Sequence, residues 1–200
     1  AALGLPGGTA TMATPEAVPE GMRYPVALKI LSPDLAHKTE VGGVALNIPD
    51  AGALKMAATE MLARVKAKAP AATITGFLVQ PMAKGLAEAI LGFRRDPETG
   101  PMVLVGAGGV MAELHRDTAL RCAPVTETEA RAMIEEVKGL KPLAGWRGLP
   151  KGDLDALAKA IVAVSRLAAV PEVAEDEINP LIIHAEGQGV TVADAWVVRA

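Results

Sequence analysis

The sequence predicts an α+β fold organised as two lobes, and three observations carry that expectation. Strand-like and helix-like stretches follow one another without the regular βαβ rhythm of a doubly wound sheet. Half of the 200 residues are apolar, enough to bury a core as one domain or as two small lobes. The chain closes on a hairpin pattern, two short apolar runs flanking His184-Ala185-Glu186-Gly187-Gln188-Gly189. The expected division is an irregular N-terminal segment over 1–23, a first lobe over 24–80 and a second over 81–200, joined near Gln80-Pro81-Met82.

The opening to about Gly21 is rich in Gly, Pro and Thr and lacks an initiator Met, which suggests processing or a segment cut from something longer. From Tyr24 to Leu31, Val26, Leu28 and Ile30 alternate with Ala27 and Lys29, a strand pattern that sets Lys29 apart from the apolar face. Asp50 can cap a helix with apolar positions Leu54, Ala57, Ala58, Met61, Leu62 and Val65, stopped by Pro70. Strands are expected near Ile74–Gln80, Ala87–Phe93 and Met102–Val105. Thr126 and Glu129 have capping-box spacing and open a helix expected to end at Gly139. Asp153 opens another, with Leu154, Leu157, Ala158, Ile161 and Val164 on one face. No internal repeat is found.

Composition excludes several classes. A net charge of -3 with both signs interspersed offers no basic stripe for nucleic acid. Despite a mean hydropathy of +0.29, no apolar run approaches a membrane span, and the N-terminus has no signal-peptide pattern. The single Cys122 excludes an internal disulfide and fits the cytoplasm; its simplest role is a small buried hydrophobe. With two serines and no G-x-S-x-G, serine hydrolase chemistry is excluded.

Chemistry enters through the closing hairpin. A turn centred on Glu186-Gly187 sets Asn179 opposite Asp194, and opposed residues hold their Cβ atoms roughly 4.5 to 5.5 Å apart. An amide oxygen and a carboxylate at that distance can share a hard cation, with Glu177 on the same face as Asn179. Mg²⁺ suits such a pair, because it takes few protein oxygens and leaves its other positions to water and substrate phosphates. The alternative is a polar outer face on an ordinary hairpin. No G-x-x-x-x-G-K-[ST] occurs, and Gly106-Ala107-Gly108-Gly109 lacks the third glycine of a dinucleotide loop, where Met111 stands. There remain Lys29 on its strand, whose alternative is a solvated lysine, and the donor-rich, glycine-bearing run Ala36 to Val44.

Taken together, Ser32-Pro33-Asp34-Leu35-Ala36-His37-Lys38-Thr39-Glu40-Val41-Gly42-Gly43-Val44, Gly92 to Pro101, Gly106 to Glu113, Gly145-Trp146-Arg147-Gly148 and Glu177-Ile178-Asn179-Pro180-Leu181 resemble the ATP-grasp part of NDP-forming acyl-CoA synthetases, relatives of the succinyl-CoA synthetase β subunit. The resemblance runs in order from Tyr24 to Arg199. It implies an ATP-grasp fold binding ATP or ADP between two lobes, with Mg²⁺ held by Asn179 and Asp194. Lys29 matches a lysine that contacts the nucleotide phosphates, and His37, Lys38 and Thr39 match a phosphate loop. Val79, Gln80, Met82 and Ala83 fall in the adenine-binding hinge, Gln80 at a position often acidic in the succinyl-CoA relatives. Glu88 matches a glutamate near the nucleotide. Gly108 and Gly109 would admit the nucleotide closely, or simply form a turn after a strand.

The resemblance also makes His37 a phosphoryl acceptor, a role that suits a neutral imidazole nitrogen; the alternative is a loop histidine that hydrogen-bonds phosphate. His115, on an expected strand, and His184, at the turn, are expected in structural or solvent roles. The family's CoA-binding and CoA-ligase parts have no counterpart in the sequence, so turnover is expected to need a partner subunit or domain. Thr99 departs from the large apolar residue usual before Gly-Pro and touches no assigned ligand. The competing expectation is a nucleotide- or acyl-CoA-sensing module of a protein acyltransferase, or a scaffold subunit.

Overall fold

The computed structural model describes residues 10–35, 38–109 and 117–200. They divide between Met82 and Ala83 into two compact units.

The first unit is a four-stranded antiparallel sheet packed on one helix. Its strands are β1 (Ala10–Met12), β2 (Val26–Leu31), β3 (Val44–Ile48) and β4 (Gly76–Pro81), in the order β1-β4-β2-β3. Val26, Leu28 and Ile30 are fully buried and share a core with Leu54, Ala58, Met61 and Val65 of α1 (Ala51–Lys68). The Asp50 carboxylate accepts from Ala53 N–H at 2.8 Å, satisfying an orphan donor at the helix start. Residues 10–12 lie in the stretch expected to be irregular, yet they pair with β4. Met12, 1 % exposed, supplies the reason, since burying it against Phe77 rewards ordering a strand too short to read as a pattern. That approach is why position 76 is glycine: a Cβ there would lie 2.5 Å from the Met12 carbonyl oxygen.

The second unit is a six-stranded antiparallel sheet with helices on one face. Its strands are β5 (Ala87–Asp96), β6 (Gly100–Ala107), β7 (Thr118–Cys122), β8 (Val173–Ile183), β9 (Val190–Val192) and β10 (Ala195–Arg199). The order is β10-β8-β5-β6-β7, with β9 pairing the far end of β8. Ala89, Leu91 and Phe93 of β5 and Val103 and Val105 of β6 face α2 (Glu127–Glu136) and α3 (Leu154–Ser165), which contribute Met133, Ile134, Leu157, Ile161 and Val164 to one core.

Three local findings refine the sequence expectations. The capping box of α2 is complete, but the helix stops before Gly139, because Asp117 accepts from the N–H groups of Lys138 (3.0 Å) and Gly139 (2.6 Å) and starts a 3₁₀ turn over Lys138–Ala144. Cys122 is exposed, not buried: Ala119 faces the core, and an odd step along β7 turns Cys122 to the other side. Thr99 belongs to the β5–β6 turn, where its N–H and hydroxyl both donate to Asp96 Oδ1, at 2.8 and 3.0 Å, a use no large apolar residue could serve.

Candidate functional site

In the second unit the candidate residues collect on the sheet face away from the helices. Since Ala89, Leu91 and Phe93 point into the core, the pleat turns Glu88, Ile90 and Gly92 to the opposite face. Gly92 pairs with Glu177, which places Glu177 there too.

The hairpin has the register its turn implies. Ile183 pairs with Val190 at one end and Ile178 with Ala195 at the other, while Gln188 N–H closes the Glu186-Gly187 turn on Ala185 O at 2.9 Å. Between the two ladders the return strand breaks at Ala193-Asp194, and there Asn179 N–H donates to Asp194 O at 3.0 Å. The expected opposition of Asn179 and Asp194 is therefore present. Strand β8 bulges at the same place, the pairing slipping by one residue between Ala89–Leu181 and Leu91–Ile178. Pro180, which has no N–H to offer a ladder, occupies the bulge.

Glu177 completes the arrangement of Asn179. Asn179 Nδ2 donates to Glu177 Oε1 at 3.2 Å, and a carboxylate accepts only, so the other end of the amide, Oδ1, is its acceptor. Among the described residues no group of three or more His, Cys, Asp or Glu could hold a metal. The hairpin instead offers one amide oxygen and one carboxylate, a partial shell that fits Mg²⁺ completed by water and phosphate and does not fit a metal that needs a full protein cage.

Glu88 and the two glycines meet through the backbone. Gly108 N–H donates to Glu88 O at 2.7 Å, and a Cβ on Gly108 would lie 2.8 Å from the Glu88 carbonyl carbon. Only glycine permits that approach. Gly109 has φ 89° and lies with its Cβ position 4.0 Å from Glu88 Oε2. Both glycines thus follow β6 directly and sit against Glu88, Gly108 on its backbone and Gly109 beside its carboxylate.

In the first unit, Lys29 on β2 pairs with Leu78 and Val44 and is 6 % exposed, which removes the solvated-lysine alternative. Ala27 and Leu28 pair with Gln80 and Val79, so the first half of the expected hinge is the neighbouring strand β4. Met82 N–H donates to Pro25 O at 2.9 Å. Lys38 and Thr39 belong to a turn in which their carbonyls accept from Gly43 (2.7 Å) and Gly42 (3.0 Å), while Gly43 O accepts from Ile30 N–H at 2.8 Å. The turn is thereby tied to β2 one residue from Lys29. His37 and His115 lie outside the described residues, as does Met111.

Two carboxylates beside the hairpin were absent from the expected ligand set. Glu177 orients Asn179, as above. Asp176, next to it, points to the helical face opposite Phe93, is 5 % exposed, and its Oδ2 has no hydrogen-bond partner among the described residues. Burial, and then the charge of Glu177, push its pKa up to about 6. Alternation along β8 was the one sequence signal for it, a charge on the same face as Ile178.

Comparison with known proteins decides the family. A profile of the ATP-grasp domain matches residues 8–198. The chain belongs to the ATP-grasp family. It is 43 % identical over 174 residues to acetate–CoA ligase [ADP-forming] I of Archaeoglobus fulgidus, covering 86 % of this chain and 25 % of that protein. The chain therefore spans about a quarter of that relative's length. With the acetate–CoA ligase [ADP-forming] II subunit beta of Pyrococcus furiosus it shares 35 % identity over 181 residues, 90 % of this chain and 77 % of the subunit. Among solved structures, the ATP-grasp fold is matched by the Ca. Korarchaeum cryptofilum dinucleotide forming acetyl-coenzyme A synthetase 1 in complex with coenzyme A and Mg-AMPPCP, its phosphohistidine segment pointing towards the nucleotide binding site. The TM-score is 0.81 at 34 % identity, over 99 % of this chain and 87 % of that one.

Proposed function

We propose that this chain is the nucleotide-binding part of an ADP-forming acyl-CoA synthetase, in which acid, CoA and ATP are exchanged for acyl-CoA, ADP and phosphate. A CoA-binding and CoA-ligase subunit or domain would supply the remaining steps, in keeping with the beta-subunit relatives. The observation that carries the reading is the opposition of Asn179 and Asp194 across a bulged hairpin, in a chain of the ATP-grasp family.

Asn179 Oδ1 and the Asp194 carboxylate would hold Mg²⁺. When bound, the ion would offset the charge that builds on the nucleotide phosphates during phosphoryl transfer. Lys29 would add a second positive charge at the phosphates, and a lysine already ordered by burial loses little side-chain freedom when it binds. Lys38 and Thr39 would donate to phosphate, with Glu88 and the Gly108-Gly109 turn beside the nucleotide. Val79, Gln80, Met82 and Ala83 would hold the base. His37 would carry the phosphoryl group: an imidazole nitrogen lone pair forms the N–P bond as the bond from the terminal phosphorus to the bridging oxygen breaks, and ADP takes the electron pair. The chemistry asks for positioning and charge neutralisation, which is what this residue set offers. Among the described residues no helix is long and apolar enough to cross a membrane; the expected place of action is the cytoplasm.

Calorimetry of the purified chain with ADP tests the reading. Binding is expected with Mg²⁺ and is expected to be lost with EDTA or in Asp194→Ala. Binding that survives in Asp194→Ala would remove the metal assignment, and none by the wild type would remove the nucleotide function. With γ-labelled ATP and a CoA-ligase partner, acid-labile label is expected on the chain; its retention in His37→Ala would displace His37 as the carrier, and nucleotide binding with no label would favour a sensing module.

A further inference from the structure

His184 lies outside the residues assigned above, yet its ring and backbone are engaged on every side. Nδ1 lies 3.2 Å from the Lys84 carbonyl oxygen and Nε2 lies 2.8 Å from Thr191 Oγ1. A carbonyl accepts only, so Nδ1 carries the proton of that contact. The backbone N–H of His184 donates to Gly189 O at 3.2 Å, and its carbonyl accepts from Asp153 N–H at 2.9 Å. Asp153 is in turn the N-cap of α3, accepting from Ala156 N–H at 3.0 Å, and it also accepts from Gly189 N–H at 2.7 Å. The imidazole therefore stands on a base braced by both a helix start and the hairpin turn.

What it grips is the segment that opens the second unit. Lys84 follows Ala83, a residue assigned to the nucleobase, and the next two residues are pressed onto the end of β8. Leu86 N–H donates to Ile183 O at 2.8 Å, and a Cβ on Gly85 would lie 2.4 Å from that same oxygen. Four residues back along β8 stands Asn179, one of the pair assigned to the metal. A nucleotide that meets Ala83 with its base and the metal pair with its phosphates must match the distance between them, and loss of that match costs affinity because the contacts no longer form together.

We propose that His184 is a positioning residue for the nucleotide. Through the Lys84 carbonyl it holds the Ala83–Lys84 segment at a set distance from Asn179 and Asp194, so that the base end and the phosphate end of the site are aligned before binding. The proposal rests on the nucleotide reading above, and its test separates the two.

Two substitutions divide the ring. The amide nitrogen of His184→Asn sits near the position of Nδ1 and keeps a donor for Lys84, whereas that of His184→Gln sits near Nε2, keeps Thr191 and leaves the Lys84 carbonyl without its partner. Mg-ADP affinity is measured by calorimetry, and backbone hydrogen exchange of the peptide spanning Lys84–Leu86 by mass spectrometry. His184→Gln is expected to bind Mg-ADP about three- to tenfold more weakly, the effect of one hydrogen bond, and to exchange faster over that peptide. His184→Asn is expected to stay within about twofold of the wild type in both readouts. A His184→Gln protein indistinguishable from wild type, or equal losses in the two variants, overturns the proposal. If wild type binds no Mg-ADP, the nucleotide function falls and the positioning role with it, while exchange rates still report whether His184 grips the segment. Unchanged exchange over Lys84–Leu86 in His184→Gln likewise overturns the proposal, because the grip on Lys84 is what would set the distance.

Discussion

Asp176 should make this protein less stable as the pH rises, against the usual behaviour of carboxylates. It is 5 % exposed among apolar neighbours, with Oδ2 unpaired among the described residues, and its pKa is pushed up from 3.8 to about 6. A raised folded-state value means that the native protein holds this proton more tightly than the unfolded chain does, so the contribution of Asp176 to stability is fully present below pH 3.8 and is lost as the pH rises towards and through 6. The whole displacement corresponds to about 3 kcal/mol, of which roughly half would be lost between pH 5 and pH 8. Asp176→Asn removes the charge while keeping the shape. In EDTA, to keep metal from the nearby Asn179 and Asp194, urea unfolding of the two proteins at steps from pH 5 to pH 8 should show the variant gaining on the wild type as the pH rises. A stability difference that is flat across this range, or that widens towards acid, would refute the account of Asp176 as a buried carboxylate carrying a desolvation cost.

The remaining predictions concern residues that join parts of the second unit. Asp153→Ala removes the α3 cap and the bond to Gly189 together and should cost about 2 to 4 kcal/mol in urea unfolding at pH 7. Because its Ala156 and Gly189 bonds hold its pKa below the usual 3.8, that stabilisation is present above pH 3.8 and fades as the pH falls through the lowered value, the opposite sign to Asp176. Gly108→Ala forces a methyl against the Glu88 backbone at 2.8 Å and should weaken Mg-ADP binding at least about tenfold by displacing Glu88, with normal affinity showing that the strand end can yield. Thr126→Ala opens the capping box and should lower stability by about 1 kcal/mol with no effect on nucleotide affinity.

Much of this fold was legible because local rules and tertiary packing agree. Asp50, Thr126 and Asp153 each read as helix caps and each accept the expected N–H, and Val26, Leu28 and Ile30 alternate into a core. Where the two disagree, the reading stopped short. The end of α2 is set by Asp117, which competes for the N–H groups of Lys138 and Gly139 from 21 and 22 residues away. Strand β1 has three residues and owes its order to Met12 meeting a strand more than 60 positions later. In the site, turn chemistry sufficed to oppose Asn179 with Asp194, since hairpin register is local. His184 could not be read the same way: its partner Lys84 is 100 residues distant and offers a backbone carbonyl, which has no side-chain signature.

The bulge adds to the hairpin register a local irregularity at Asn179, one of the two residues proposed to hold the metal. Ile178 and Leu181 both face the core, though an odd number of residues apart, and a regular strand would send one of them to the outer face. Inserting one residue at Asn179-Pro180 lets both be buried, so the hydrophobic demand on either side holds the irregularity in place. The return strand leaves its regular ladder opposite, at Ala193-Asp194, and two backbone bonds, from Asn179 N–H to Asp194 O and from Ala193 N–H to Pro180 O, both at 3.0 Å, keep the register across the break. Side chains at such a break are released from strict alternation and can converge on a point instead of pointing along parallel normals. The apolar residues that flank the site thus do its positioning, and the polar pair needs only to be of the right type.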